Sequence, residues 1–283
     1  MLVDCHSHVW AYPGHISDAF VNDANARSRG GMKLDLNIPP EKHLQAMAGV
    51  DKVIVFGLRA QYSGLSVPNN YISEYAAKYP DKVIGFGAID PGVDPIGETL
   101  DEIVHLKLRG VKLGPIYQNI HPTDPRMMRV YAFCETNRLP IMIHQGATFV
   151  RTGPLKYALP IQLEDVAIAF PELKMIIAHL GHPWIAETIV LIRKHPNVFS
   201  DISALHYRPW QFYNALILAK EYGVLEKILF GSDYPFTTPE AQMEGLRNIN
   251  HFTEGTNLPR LTPAEIEGLI YSPTLKNLGL ESA

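Results

Sequence analysis

His6 and His8 sit in the opening run Val3-Asp4-Cys5-His6-Ser7-His8, and their spacing is the first chemical signal in the sequence. Side chains alternate along an extended strand, so two imidazoles one residue apart face the same side and can grip a single ion. Three later apolar runs also end in polar groups: Ile141-Met142-Ile143-His144, Ile176-Ile177-Ala178-His179, and Leu229-Phe230-Gly231-Ser232-Asp233. A lone histidine is more often a surface or satisfied residue than a ligand. Five ligands or proton carriers at the same end of four strand-like runs are a different matter. Three or four N/O donors with an open position are what a catalytic divalent ion requires. Asp233 alone would read as a helix cap or turn residue, but its place at a strand end favours a ligand.

Other residues frame this set. Lys112 stands in Gly110-Val111-Lys112-Leu113, an apolar run with one cation at its end. It is a candidate to contact an anionic substrate as a free ammonium, with a carbamylated bridge between two metals and a lysine snorkelling to the rim as the alternatives. Arg59 and Arg151 follow strand-like runs and are candidates to clamp a carboxylate. Trp184 follows His179 and is a candidate pocket wall. Trp10, Tyr62, Tyr117 and His206 are weaker ones. Asp4 is expected behind the ligands, not among them. Of the twelve histidines, His15, His43, His105, His195 and His251 lie in polar contexts and read as surface residues.

The elements that would position these groups are legible as alternating β and α patterns. Strands are predicted near Leu2–Cys5, Lys52–Phe56, Val83–Phe86, Gly110–Leu113, Pro140–Ile143, Lys174–Ala178, Val198–Ile202 and Lys227–Phe230. Helices are predicted over Asn70–Lys78, Ile96–Leu106, Pro125–Thr136, Leu163–Phe170, Trp184–Arg193 and Pro209–Tyr222, where apolar residues recur at three- and four-residue spacing. Prolines 80, 140, 171 and 196 fall in the returns to strands, where they stop helices. Eight β/α units imply a (β/α)₈ TIM barrel of class α/β spanning residues 1–283 as one domain. An open doubly wound sheet is the runner-up, but no glycine-rich phosphate loop follows the first strand. The polar segment from Trp10 to about Pro40 reads as a long loop of the kind that forms lids.

The motifs Asp4-x-His6-x-His8, His144, His179 in His-Leu-Gly-His-Pro-Trp, and Gly231-Ser232-Asp233-Tyr234-Pro235 resemble the amidohydrolase superfamily. Within it they resemble the group containing aminocarboxymuconate semialdehyde decarboxylase, aromatic acid decarboxylases and pyrone-dicarboxylate lactonase. The resemblance runs from residue 2 to about 235. It departs at Tyr271-Ser272-Pro273-Thr274, where relatives often carry Gly-Asn-Ala. It implies that His6, His8, His144 and Asp233 bind one metal ion, with His179 and Asp233 catalytic. Zinc is the leading ion and manganese the alternative. A bound ion would lower the pKa of water from about 15.7 toward neutrality, with Asp233 accepting its proton and His179 moving protons at the substrate.

Two chemistries fit that set: hydrolysis of a small ester, lactone or amide, which leads, and non-oxidative decarboxylation of a small unsaturated or aromatic acid. A non-catalytic metal-binding barrel is a third class, opposed by the intact constellation. A Ser-His-Asp hydrolase is disfavoured because no Gly-x-Ser-x-Gly elbow occurs. Composition narrows the partners. A formal charge of −4 offers no basic footprint for nucleic acid, and no apolar run is long enough to span a membrane. Two cysteines outside any C-x-x-C pair, with no secretory signal at the start, point to the cytoplasm. The expected partner is a small-molecule substrate; a homo-oligomer is left open.

Overall fold

A computed structural model describes residues 1–26 and 33–281. Eight parallel strands follow one another around a single sheet. They are β1 (Val3–His8), β2 (Lys52–Phe56), β3 (Val83–Ala88), β4 (Val111–Leu113), β5 (Ile141–Ile143), β6 (Met175–Ile177), β7 (Val198–Asp201) and β8 (Ile228–Leu229). The last strand returns to the first. Cys5 N–H donates to the Phe230 carbonyl at 2.9 Å, Asp233 N–H to the His6 carbonyl at 2.7 Å, and His8 N–H to the Tyr234 carbonyl at 2.8 Å. An open sheet would leave these groups unpaired, so the open doubly wound alternative falls and the architecture is a TIM barrel.

Side chains alternate inward and outward along each strand, dividing the core in two. Outward residues such as Val53, Val55, Val111, Ile141 and Ile177 pack under the surrounding helices. Inward residues Val3, Cys5, Ile54, Phe56, Phe86, Met142, Ile176 and Leu229 fill the barrel, joined by Leu275, Leu278 and Leu280 from the C-terminal helix and the residues after it. Ser272 accepts the Phe230 N–H at 3.2 Å and so supports the last strand.

The first strand is irregular where it matters. Its register against β2 shifts between Asp4 and Ser7, so β1 carries an extra residue there. A bulge of this kind reverses the alternation, which lets Cys5 face the apolar interior while His6 and His8 both face inward one layer above. Ser7 then points outward. Its hydroxyl donates to the Ile54 carbonyl at 3.0 Å and meets His43 Nε2 at 3.0 Å.

Two expectations are corrected here. His43 is not on the surface: it is fully buried, with its other ring nitrogen 2.9 Å from the Tyr75 hydroxyl. The apolar residues of the neighbouring helices cover a histidine whose own sequence context is polar. The segment from Trp10 to Pro40 is also not an open loop. It contains the helix Asp18–Ala26 and is tied down by backbone bridges between Trp10 and Ile38 and between Ile16 and Leu65. Residues 27–32 of that segment lie outside the described residues. No helix among the described residues is long and apolar enough to cross a membrane.

Burial holds His43 neutral, lowering its pKa from 6.5 to about 3. A depressed histidine adds stability that is complete above pH 6.5 and is lost as pH falls toward the folded value. At pH 5 the loss from this one residue is about 2 kcal/mol. Denaturant unfolding at pH 7 and pH 5 should show a smaller acid-induced drop for His43→Gln than for wild type. Equal drops would contradict this account.

Candidate active site

The C-terminal strand ends meet in a cavity of about 440 Å³, a size suited to a small molecule. Its floor is built by His8, Lys112, His144, His179 and Asp233. Trp10, Phe20, Leu34, Phe149 and Phe236 supply apolar walls, three of them from the segment between Trp10 and Pro40. His6 lies beneath this floor, fully buried.

The seam between β8 and β1 brings the groups together. His6 Nε2 and His8 Nε2 each lie 3.4 Å from Asp233 Oδ1. The approach is close: a Cβ on Gly231 would sit 3.0 Å from that of His6, which is why a glycine stands there. Asp233 itself adopts a left-handed backbone with φ of 66°, a conformation that Asp tolerates better than most residues. The His6 and His179 rings stack with centroids 4.7 Å apart, and His144 meets His179 edge-on at 5.1 Å. Donor atoms of His6, His179 and Asp233 all fall within 4.8 Å of one another. Outside that group, His8 Nε2 approaches Asp233 Oδ1 and His144 Nε2 lies 3.2 Å from the Ala147 carbonyl.

Burial sets the charge states. It drives His6 down to about 3 and holds His8 and His144 well below the ordinary histidine value, with the nearby Lys112 adding to the effect. Burial also raises the Asp233 carboxyl. Lys112 is lowered to about 8 by burial, with Asp201 and Asp233 opposing the shift. Its Nζ lies 3.5 Å from His6 Nε2 and 4.3 Å from the centre of the Phe56 ring.

Neutral imidazoles present lone pairs, and a carboxylate beside them supplies the negative charge a divalent cation needs. A set of neutral nitrogens around one carboxylate fits a divalent metal ion.

The remaining predicted residues are placed variously. Lys112, Trp10 and Tyr117 line the cavity. Arg59 is bound in a two-point ion pair with Asp94, at 2.8 and 2.5 Å, and is not on the cavity wall. Arg151 is exposed, and Trp184 packs half-buried on the outer core; neither lines the cavity. The arginine on the wall is Arg208, stacked over Tyr207. Tyr62 is exposed, and His206 meets Gln242 at 2.8 Å, both away from the cavity lining. Asp4 supports the seam from behind, accepting the backbone N–H groups of His6 and Ser232, each at 3.0 Å.

Sequence reasoning missed Asp201 and Ser203, which contact His6 and His179 directly. The available signal was a carboxylate at the end of an inward-facing strand, the same signal that marked Asp233.

Comparisons with known proteins agree with the architecture. An uncharacterised TIM-barrel protein from Bordetella bronchiseptica superposes with a TM-score of 0.75 at 23% identity, covering 100% of this chain and 99% of its own. A probable 2-pyrone-4,6-dicarboxylic acid hydrolase from Acinetobacter baumannii gives 0.68 at 18% identity, covering 98% and 99%. A dihydroxybenzoic acid decarboxylase from Polaromonas sp., with bound manganese, gives 0.70 at 13% identity, covering 100% and 98%. At these identities the likenesses speak to fold alone. No curated protein sequence matches. The sequence profile of the amidohydrolase family, however, aligns with residues 3–271, nearly the whole length of the barrel, and the chain therefore belongs to the amidohydrolase family.

Proposed function

We propose that this protein is a metal-dependent hydrolase of a small ester, lactone or amide. The observation that carries the reading is the convergence of neutral imidazoles and one carboxylate on the floor of a single apolar-walled cavity. His6, His8, His144 and Asp233 would hold one divalent ion, zinc in preference to manganese. When bound, such an ion polarises a substrate oxygen and acidifies a water molecule.

The chain's own groups do the rest. Asp233 orients the attacking water and accepts its proton. His179 lies beside this group, and its Nε2 lone pair takes up the proton that Asp233 removes from the water and passes it to the departing oxygen or nitrogen. Lys112, a buried ammonium, offsets the negative charge that grows on the substrate oxygen. Trp10, Phe20, Phe149 and Phe236 keep bulk water from these steps. The free thiols of Cys5 and Cys134, both buried, suit a reducing compartment such as the cytoplasm.

One observation favours a second reading. Aromatic and aliphatic walls around a buried ammonium would strip solvent from a bound carboxylate, as loss of carbon dioxide requires. The two reactions part at their products. In water enriched in ¹⁸O, hydrolysis places the label in the product acid or lactone-derived hydroxy acid, whereas decarboxylation releases carbon dioxide and leaves the remaining organic product unlabelled.

Stripping the metal should abolish turnover on a panel of lactones, esters and aromatic carboxylates, and zinc or manganese should restore it. The metal-to-protein ratio should be near one. Two ions about 3.5–4 Å apart with a modified Lys112 would instead establish a bridged pair.

Separate roles for His6 and His179 give a sharper test. His179→Ala should retain most of its metal while kcat falls roughly 10²–10⁴-fold. His6→Ala should lose metal and activity together. Because donor atoms of His179 lie within 4.8 Å of those of His6 and Asp233, a folded but metal-free His179→Ala would reassign it as a ligand.

A further inference from the structure

At the end of β7 the chain reads Ser200-Asp201-Ile202-Ser203, and two of these side chains reach the site from behind. Asp201 is completely buried. Its Oδ2 accepts from His6 Nδ1 at 2.9 Å. Its Oδ1 accepts the backbone N–H groups of His179 at 3.1 Å and Ser203 at 3.0 Å, and the Ser203 hydroxyl also donates to it. The carboxylate is therefore saturated by donors from both sides of the site.

These donors determine two tautomers. His6 Nδ1 faces a carboxylate, so it carries the proton, and its Nε2 lone pair points to the cavity floor. His179 Nδ1 lies 2.7 Å from Ser203 Oγ and 3.2 Å from the Ser203 carbonyl. A carbonyl only accepts, and the hydroxyl proton is committed to Asp201, so His179 Nδ1 is also protonated. Its Nε2 lone pair is left for chemistry. Ser203 Oγ reaches His6 Nδ1 as well, but at 3.3 Å, where the carboxylate is the shorter partner.

The same carboxylate holds the backbone that carries His179. His179, Leu180 and Gly181 have φ values of 56°, 49° and 62°, three left-handed residues in succession. Two of them are not glycine, so the turn persists only because its surroundings hold it. At Gly181 a side chain has no room, since a Cβ would meet Thr188 Oγ1 at 2.2 Å. The His179 N–H bond to Asp201 is one tether of this turn.

We infer that Asp201 is the positioning residue of the site: one carboxylate directs both His6 and His179, and Ser203 is the link that serves His179. The inference rests on the metal-hydrolase reading for the roles of the two imidazoles, but not for their tautomers. It follows that the two variants should separate. Asp201→Asn should weaken zinc binding about 10–100-fold and lower kcat, because both rings lose their anchor. Ser203→Ala should change zinc affinity less than about threefold while kcat falls about tenfold or more at nearly constant KM. Ser203→Thr keeps the hydroxyl and should recover most of that loss.

Zinc affinity is read by competition with a chromogenic chelator, and kcat on whichever substrate of the panel turns over. Tautomers are read from ¹⁵N-histidine spectra of the metal-free protein. Wild type should show His6 and His179 protonated at Nδ1, and Ser203→Ala should disturb the His179 signals while sparing those of His6. Spectra placing the His179 proton on Nε2 would overturn the inference, as would Ser203→Ala losing zinc as severely as Asp201→Asn. If Asp201→Asn does not fold, Ser203→Ala and its spectra decide the matter. A wild-type protein that binds no zinc would sink the metal reading instead, and the tautomer spectra would still test the positioning.

Discussion

Closure of the barrel between its last and first strands is the constraint on which the site depends. Asp233 stands more than two hundred residues from His6 and His8 in the sequence, and only the β8–β1 seam makes them neighbours. That seam is a compact set of bonds: the Cys5, His8 and Asp233 amides each find a carbonyl across it, and Asp4 ties the His6 and Ser232 amides to one carboxylate. Gly231 permits the approach, and the bulge in β1 turns both histidines inward at this level. A regular first strand would have sent His6 outward if Cys5 remained inside. The bulge is thus a functional feature of the strand, as bulges beside active sites commonly are.

Once inside, the polar groups sit in surroundings that would penalise any unpaired charge. The inward layer beneath them is Phe56, Phe86, Met142 and Ile176. His6, His8 and His144 respond by staying neutral, which is the form that binds a metal. Lys112 keeps its ammonium through two nearby carboxylates and the face of Phe56. Its positive charge in turn discourages protonation of His6, His8 and His144. The low-dielectric setting therefore prepares lone pairs without any further device.

Much of this was legible in the sequence, for a physical reason. All eight strands lie where short apolar runs predicted them, because parallel strands buried on both faces need continuous hydrophobic stretches. The active-site histidines were visible because they end such runs. What stayed hidden depended on distance in three dimensions. Arg59 follows a strand but is captured by Asp94, thirty-five residues on, and nothing local to Arg59 announces that partner. His43 looks exposed because its neighbours in sequence are polar, while its neighbours in space are Tyr75 and Ser7. The bulge in β1 and the left-handed turn at His179 carry no sequence signature of their own. The segment after Trp10 combines both limits: its polarity suggested a loop, yet Trp10, Phe20 and Leu34 are spaced to reach the cavity wall.

The two inward carboxylates at the strand ends divide the work through their hydrogen bonds. Asp201 receives four donors, from an imidazole, two amides and a hydroxyl, so its lone pairs are occupied and its position is set. Asp233 has no such saturation; its nearest polar contacts are imidazole nitrogens at 3.4 Å, too far for good hydrogen bonds and well placed to share a cation. A saturated carboxylate can orient but has little left to coordinate or accept with, whereas an open one can do both. The same side chain at the ends of neighbouring strands thus takes opposite roles according to the donors around it. Placing the anchored one behind His6 and His179 and the open one in front of them leaves a single face of the cluster unengaged, the face that looks into the cavity.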